Sequence, residues 1–409
     1  MTILVFVPYY LPGYRSGGPA RSIANLVAQL GRDLHFVIVT ADRDSGDRVP
    51  YPGITAGARH RVGNAEVIYL GRGQTRPDRI AGLIKAVQPD VLYLNSFFSR
   101  AFSINVVVLR RLGRIAPLPI VLAPRGEFSP GALRIKRRRK RAWLAVSRAC
   151  SLHRDLLWQA SSPLEAEDIR RCVRPVARSA GAPIIVAPII ACPERPPDPD
   201  ARPRRAPHNK SPNRLRVAFL SRLSPKKNLL GALHILYGVR GDLEFNIFGP
   251  VEDEKYWRAC RMAMDALPAN VRAAYRGPVA PDAVADVLGQ HELFFFPTLG
   301  ENYGHVIREA LAAGTPVLVS DQTPWRDLTA ARVGWDLPLD RPEAFRDVLE
   351  ACIAMDSEAF ADWSTRAARY AWQHAADDGA IEASRRLFCT AAGAPGALVA
   401  GPPGAINAR

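Results

Sequence analysis

Two glutamates, Glu301 and Glu309, lie on either side of a glycine in "PTLGENYGHVIREALAAGTP", between the apolar runs "ELFFFP" and "VLVSD". Such runs predict buried strands, with a helix between them that begins near Gly304. The backbone N–H groups of Tyr303, Gly304 and His305 would point out of this helix start, where an anion is favoured. Because carboxylates accept paired hydrogen bonds from hydroxyl groups, the pattern predicts a site for a ligand that carries hydroxyls and phosphate.

Basic and glycine-rich loops follow two other predicted strands. Arg222 and Lys227 lie in "SRLSPKKN", one at the strand end and the other entering a helix. Two fixed cations beside a helix N-terminus predict a site for a diphosphate. Gly17 and Gly18 lie in "PYYLPGYRSGGPARS", where small residues let backbone N–H groups approach a ligand. This loop does not match G-x-G-x-x-G, and the chain contains no G-x-x-x-x-G-K-[ST] sequence.

Strands and helices alternate along both halves of the 409-residue chain, which is long enough for two domains. Apolar strands that alternate with helices predict parallel sheets covered on both faces. We therefore predict an α/β fold of two doubly wound Rossmann-like domains that face a cleft. Ligands of such sheets bind outside the carboxyl ends of the strands, where all the loops above lie. The predicted divisions are a first domain (1–191), a Pro-rich linker (192–213), a second domain (214–375), a last helix (376–392) and a disordered tail (393–409).

The segment "SSPLEAEDIRR" predicts the start of a helix. Ser162 is the predicted N-cap, Pro163 the first helical residue, and Glu165 the residue that completes a capping box. This segment follows the predicted strand "LLWQAS" and therefore also lies at a strand's carboxyl end.

Positive charge is concentrated in the first half of the chain. The net charge is +16; the first 213 residues hold 34 Lys and Arg against 15 Asp and Glu (+19), and the rest hold 21 against 24 (−3). Much of the excess lies in residues 134–143, "RIKRRRKRAW", inside a predicted helix over 131–148 that also carries Leu133 and Trp143. This predicts an interfacial amphipathic helix on an anionic membrane surface. A solvated basic face and a nucleic-acid contact are the alternatives.

Apolar runs and cysteines point to a protein of the cytosol. No run approaches the roughly 18 apolar residues that span a bilayer. The N-terminal "MTILVFVPYY" lacks the basic segment and cleavage site of a signal peptide, so we predict a first buried strand. The six cysteines include no C-x-x-C pair and are expected to be reduced thiols.

The charged loops together match a family pattern. R-x-x-x-x-K, followed some seventy residues later by "PTLGENYGHVIREALAAGTPV", resembles the retaining glycosyltransferases of group 1, family four, which have the GT-B fold. The early "GG" loop and "SSPLEAEDIRR" are similar to this family too, so the resemblance extends over roughly residues 1–392. It implies an enzyme that moves a sugar from a nucleotide-sugar donor to a saccharide or lipid-linked saccharide acceptor with retention of configuration. It also implies a role in cell-surface polysaccharide or lipopolysaccharide assembly.

The resemblance implies roles for the residues of these loops. Three catalytic residues would neutralise the leaving diphosphate and orient the donor sugar: Arg222, Lys227 and Glu301. The donor-binding residues, with the last of them on the ribose hydroxyls, would be Asn302, Tyr303, Gly304, His305 and Glu309. The loop over the donor phosphate and the acceptor would hold Gly17 and Gly18. The first domain would bind the acceptor, and the last helix would cross back to it.

One turn departs from the family pattern. Many relatives have a histidine in a "P-H-G" turn of the first domain, in contact with the donor sugar. Here the turn reads "PRGEF", so Arg125 is the candidate for this sugar contact, or a sign of a different donor. No metal and no cofactor are expected, because two side-chain cations can neutralise the diphosphate. Asp42 and Asp44 in "DRD" look like the D-x-D metal motif of another glycosyltransferase fold, but we predict a solvated loop there.

Three other functions are weighed against the transferase. A same-fold nucleotide-sugar epimerase would need an acid/base set that we do not see in the cleft. A basic nucleic-acid-binding protein is disfavoured because aromatic residues are not interleaved with the basic run, so no nucleic acid is expected as a partner. An inactive relative is disfavoured because the charged motif residues are intact. We predict a cytoplasmic protein, peripheral on the inner face of the plasma membrane, with a nucleotide sugar and a saccharide or lipid-linked acceptor as partners.

Overall fold

The computed structural model describes residues 1–15, 17–173, 183–190, 210–211, 213–374 and 378–393. Most of the predicted linker and nearly all of the predicted tail lie outside these residues. The described chain forms two sheets with helices packed on them. The predicted α/β fold of two Rossmann-like bodies is thereby confirmed.

The first sheet has eight strands in the order β3-β4-β2-β1-β5-β6-β7-β8, all parallel except β3 against β4. Its strands are β1 (Thr2–Phe6), β2 (His35–Ala41), β3 (Arg59–Val62), β4 (Ala65–Leu70), β5 (Val91–Leu94), β6 (Ile120–Leu122), β7 (Leu157–Ala160) and β8 (Ile184–Val186). Every residue of β5, β6 and β7 is buried. Helices cover both faces of this sheet, which is why its central strands are apolar throughout.

The helices of the first body are α1 (Gly18–Leu30), α2 (Pro77–Val87), α3 (Asn105–Arg111), α4 (Pro130–Arg134), α5 (Arg137–Ala149) and α6 (Pro163–Val173). A turn of π-helix, Arg100–Ile104, precedes α3. The helix α1 is the next element after β1, and α6 is the next after β7. Both helices have a proline in the first turn, where a missing N–H is tolerated. They therefore start at the edge of the sheet where the strands end.

The second sheet has six parallel strands in the order β11-β10-β9-β12-β13-β14. They are β9 (Arg214–Leu220), β10 (Asp242–Phe248), β11 (Val271–Gly277), β12 (Leu293–Phe296), β13 (Val317–Ser320) and β14 (Gly334–Leu337). All four residues of β12 and of β13 are buried. The strand β12 runs straight into the acidic loop, and its neighbour β9 runs into the basic one.

The helices after the linker are α7 (Leu229–Leu236), α8 (Glu254–Asp265), α9 (Val284–Leu288), α10 (His305–Ala312), α11 (Pro342–Ala354), α12 (Ser357–Gln373) and α13 (Asp378–Ala392). The last of these packs on the first sheet, against β5 and β6, and beside α1. Phe388 of α13 is fully buried, with its ring 6.1 Å from that of Phe36 and 5.2 Å from that of Tyr93. An ion pair of 2.8 Å joins Arg385 to Asp33.

The basic segment differs from the predicted single helix over 131–148. It breaks between α4 and α5, because Ile135 is extended and Lys136 takes a left-handed conformation with φ 53°. Leu133 and Trp143 pack against an apolar core of the first body, so they are not free to enter a membrane. The prediction of one continuous helix over 131–148 is therefore wrong. Four arginines of α5 are exposed: Arg137, Arg138, Arg139 and Arg141.

The "DRD" segment is also not the solvated loop that we predicted. Asp42 and Asp44 are each 4% exposed. One carboxylate oxygen of Asp44 accepts hydrogen bonds from the backbone N–H groups of Tyr14 and Arg15, at 2.8 and 2.9 Å. The segment therefore holds the loop that leads to Gly17.

Candidate active site

The predicted site loops converge where the two sheets face each other. From the first sheet come the loop after β1, the turn after β6 and the start of α6; from the second come the loops after β9 and β12. A Cβ placed on Gly17 would lie 3.6 Å from Arg222 Nε, and one placed on Gly18 would lie 3.6 Å from the ring of His305. A side chain at either glycine would therefore fill the space between the sheets.

Lys227 and Glu301 form a buried ion pair at the carboxyl ends of β9 and β12. The ammonium of Lys227 donates to Glu301 Oε1, and the two side chains are 13% and 12% exposed. Burial would raise the pKa of Glu301, but the surrounding cations, led by Lys227, outweigh it and lower that pKa. A buried carboxylate that stays ionised needs its cation, so the pair fixes where the positive charge of Lys227 lies.

Arg222 stands at the open side of the same loop. Its guanidinium donates to Glu252 at 2.9 Å, and its side chain is 34% exposed. Unlike Lys227 it is therefore held by a surface contact, which contributes little to stability. It can leave Glu252 for an anion in the cleft without unfolding the loop.

The acidic loop is shaped by Gly304, the residue that precedes α10. It has φ 79°, and a Cβ there would lie 2.8 Å from Ile307 Cδ1. Only glycine takes this conformation without strain. The indole N–H of Trp325 donates to the carbonyl of Tyr303 at 2.6 Å and holds the turn from the other side. The turn thus separates Glu301 in the loop from the buried face of α10.

Glu309 lies on that buried face and already has a partner. It forms an ion pair with Arg21 of α1, and its side chain is 10% exposed. This contact joins the first body to the second at the carboxylate that is predicted to hold a ribose. Sequence reasoning missed Arg21, although it lies three residues after Gly18 in the first turn of a helix that starts at the cleft.

His305 is a neutral histidine. Burial, and after it the charge of Arg21, lowers its pKa to about 3. Its Nε2 lies 3.0 Å from the hydroxyl oxygen of Ser22, whose own hydrogen is donated to the carbonyl of Gly18 at 2.9 Å. Nε2 therefore carries the proton and donates to Ser22, and Nδ1 is left as an acceptor.

Arg125 is turned toward its own domain. Its φ is 56°, and its guanidinium donates to the hydroxyl of Tyr93 at 2.6 Å and to Asn95 Oδ1 at 2.8 and 3.0 Å. It also contributes to the low pKa of His305, which places its charge near the cleft. The same turn holds Glu127, whose carboxylate accepts from Ser96 and from two backbone N–H groups.

Asn302 contacts the first body rather than the open cleft. Its side chain lies against Ser161 and Glu165 at the start of α6, where Glu165 is 5% exposed. Of the predicted capping box, Ser162 accepts from the N–H of Glu165 at 3.2 Å. The carboxylate of Glu165 instead binds the N–H of Gly126 and the N–H and hydroxyl of Ser161. The second half of the box is therefore absent.

Two parallel-sheet bodies with charged loops meeting between them define a two-domain α/β enzyme of the GT-B type. Residues 200–369 match the family model for "Glycosyl transferases group 1". The match includes all four charged motif residues and confirms the predicted resemblance to the group 1 glycosyltransferases over this part of the chain. The protein is a glycosyltransferase enzyme; its place in family four and retention of configuration stay predictions.

Two curated relatives are similar to the chain in sequence. A GDP-mannose-dependent alpha-mannosyltransferase of Mycolicibacterium smegmatis is 25% identical over 346 residues, which are 83% of this chain and 85% of the relative. A phosphatidyl-myo-inositol mannosyltransferase of Mycobacterium leprae is 31% identical over 146 residues, 34% of this chain and 37% of that protein.

Solved structures share the fold. HepE of Anabaena, in complex with UDP and glucose, has a TM-score of 0.65 and 16% identity over 95% of this chain and 99% of its own. Sucrose-phosphate synthase of Thermosynechococcus elongatus has a TM-score of 0.66 and 16% identity, with the same coverage of both chains. These similarities extend over both sheets and the cleft between them.

Proposed function

We propose that this glycosyltransferase moves a glycosyl group from a nucleotide-sugar donor to a saccharide or lipid-linked saccharide acceptor, with retention of configuration. The pathway proposed is cell-surface polysaccharide or lipopolysaccharide assembly. The observation that carries the proposal is the convergence of Arg222, Lys227 and Glu301 at the ends of two adjacent strands, with Glu309 in the helix that follows the second strand. Relatives of similar sequence include mannosyltransferases, one of them named for a GDP-mannose donor, which supports a nucleotide sugar as the donor class.

The cations would act on the leaving group. An ammonium has three N–H donors, so Lys227 can stay on Glu301 and still donate to a phosphate oxygen. Arg222 can release Glu252, because that contact is on the surface. Together they would neutralise the diphosphate as its bond to the sugar breaks. We therefore propose that transfer needs no metal ion, so that a chelator leaves the rate unchanged.

The two glutamates would position the donor. Glu309 would accept hydrogen bonds from the ribose hydroxyls, and Glu301 from a hydroxyl of the sugar. Arg21 pairs with Oε1 of Glu309 in this structure, so the ribose hydroxyls would share this carboxylate with the guanidinium or displace it. In both cases the positive charge of Arg21 would stay beside the bound donor, where it favours the donor phosphates.

A panel of nucleotide sugars tests this assignment. We expect one of them to raise the melting temperature and to be hydrolysed slowly without acceptor, and we expect Lys227→Ala to abolish both effects. Lys255→Ala is the matched control, since Lys255 is an exposed lysine of α8. If no nucleotide sugar stabilises the chain, or if Lys227→Ala behaves like the control, the donor assignment fails. Conversion of the donor to its epimer would support the epimerase instead.

Association with an anionic membrane is the second part of the proposal. Arg137, Arg138, Arg139 and Arg141 are exposed on α5, so they can meet anionic lipid headgroups without burial of apolar residues. The attraction would be electrostatic and would weaken with salt. It would place the first body beside a lipid-linked acceptor.

Vesicle binding tests this part. We expect sedimentation with vesicles that contain anionic lipid and not with neutral vesicles. Arg138→Glu with Arg141→Glu should abolish it, whereas Arg258→Glu with Arg261→Glu, the same spacing on α8 of the second body, should not. Equal loss in both double variants, or no binding by the unaltered chain, would refute the membrane contact.

A further inference from the structure

A buried carboxylate of the first body is the acceptor for hydrogen bonds from both sides of the cleft. Glu165 Oε1 accepts from the N–H of Gly126 at 2.6 Å. Its Oε2 accepts from the N–H and the hydroxyl of Ser161, at 2.8 and 2.7 Å. None of these partners is a cation, and the residue is 5% exposed. A charge so enclosed is tolerated only when N–H and O–H donors satisfy it.

The remaining donor comes from the second body. The side-chain atom of Asn302 nearest to Glu165 lies 2.8 Å from Oε2 and 3.2 Å from Oε1. An oxygen in that place would face two acceptors, so the atom is the carboxamide nitrogen. The same nitrogen lies 2.7 Å from the hydroxyl oxygen of Ser161, which can accept from it because its own hydrogen goes to Glu165.

The close approach of the two bodies at this point depends on a glycine. Gly126 has φ 74°, and a Cβ there would lie 3.2 Å from Asn302 Cβ. The turn "PRGEF" therefore does two things through Gly126: its backbone N–H donates to Glu165, and the missing Cβ leaves room for Asn302. Asn302 in turn is the residue next to Glu301, whose backbone N–H is held by the carbonyl of Gln322 at 2.9 Å.

We propose that Glu165 and Ser161 are positioning residues, which fix the donor loop through their contact with Asn302 of the other body. This inference rests on the proposed function, because the loop so held carries Glu301. The acceptor-binding body would thus complete the donor site of the other body. Donor chemistry would then depend on this contact between the bodies, since Glu165 and Ser161 supply the acceptors for the carboxamide of Asn302.

The first variant changes the acceptor. In Glu165→Gln one carboxylate oxygen is replaced by an NH₂ group, which cannot accept a hydrogen bond from the N–H donors around it. We expect kcat to fall about tenfold to a hundredfold. The affinity for the free nucleoside diphosphate should change by less than about threefold, because the cations and Glu309 are untouched. Glu167→Gln, on the exposed side of the same helix, is the matched control and should leave kcat unchanged.

The second variant approaches the contact from the other body. Asn302→Asp sets one carboxylate against another, and we expect both a lower kcat and a larger radius of gyration by small-angle X-ray scattering as the cleft opens. Adding Glu165→Gln to it restores a donor–acceptor pair, so kcat should recover at least about fivefold over Asn302→Asp. A role limited to folding predicts no such recovery.

Two results would overturn the inference. One is wild-type kcat in Glu165→Gln; the other is an unchanged scattering profile in Asn302→Asp together with no recovery in the double variant. If the unaltered chain turned over no nucleotide sugar, the proposed function would fail, and the scattering of Asn302→Asp would still decide whether this contact holds the bodies together.

Discussion

Replacing Lys227 by alanine would leave Glu301 as a buried carboxylate without its cation. Both side chains are nearly nine-tenths buried, and removal of one partner from such a pair destabilises a protein by about 3–5 kcal/mol. Lys226 and Arg222 still contribute positive charge near Glu301, so we expect the lower end, about 3 kcal/mol. For a domain of this size that corresponds to a decrease of about 6–12 °C in melting temperature.

If Lys227 binds the leaving diphosphate as proposed, the same substitution also removes an N–H donor from it. We expect kcat to fall by about 10²–10³-fold, the usual effect of losing one group that stabilises developing negative charge. The double variant Lys227→Met with Glu301→Gln has no buried charge left. It should therefore recover most of the lost stability and none of the lost turnover, which separates the structural part of the effect from the chemical part.

The stability loss should depend on pH with a definite sign. In the unaltered protein the pKa of Glu301 is lowered, so its contribution is present above the unfolded pKa and is lost as pH falls. Without Lys227, burial dominates and raises the folded pKa above the unfolded one, so the variant becomes relatively more stable as pH falls. The difference between the two melting temperatures should therefore shrink from pH 8 to pH 4.5.

Differential scanning calorimetry across this pH range, with donor hydrolysis measured in parallel, is the assay. Lys255→Ala again serves as the control and should match the unaltered chain in both. The reasoning is refuted if Lys227→Ala melts like the control, if its deficit grows toward low pH, or if the double variant is less stable than the single one.

Three further substitutions test the positive φ of Gly304, the paired hydrogen bonds of the Arg125 guanidinium and the burial of the His305 imidazole. Gly304→Ala should lower the free energy of unfolding by about 1–2 kcal/mol in urea titration, because its φ is positive and a Cβ would meet Ile307; an unchanged midpoint would contradict this. Arg125→Lys should lower the free energy of unfolding by about 1.5 kcal/mol, since an ammonium cannot donate to Tyr93 and Asn95 together as the guanidinium does. The melting temperature is the measure, and a wild-type melting temperature would contradict the prediction. The unaltered chain should lose stability as the pH falls from 7 to 4, and His305→Gln should lose about 3 kcal/mol less of its free energy of unfolding over the same range. The folded pKa is about 3, so the histidine's contribution is complete above the unfolded pKa and falls as the pH approaches 4; parallel unfolding curves would contradict this.

The order of strands and loops could be predicted because buried parallel strands are apolar throughout and their ends are marked by charge or glycine. Arg222, Lys227 and Glu301 lie in loops at strand ends and Glu309 lies in the helix that follows, as predicted; their roles in the reaction stay predictions. The strand β3 was missed because its four residues include two arginines and none is buried, so it lacks an apolar pattern.

The contacts across the cleft could not be read from the pattern. Arg21, Ser161 and Glu165 each look locally like surface or capping residues, and their partners are 137 to 288 positions away in the chain. Only the arrangement of the two bodies brings them together. The break at Lys136 was missed for a related reason, since helical periodicity tolerates an interruption of two residues.

The packing of α13 on the first sheet means that the first body is complete only when the last helix of the chain has been made. Leu387 and Phe388 are fully buried in the core that Phe36 and Tyr93 also line. The first body is synthesised first, yet an apolar face of its sheet stays uncovered until the ribosome has made the whole second body. Deletion of α13 should therefore damage the first body, the half farthest from the deletion in sequence.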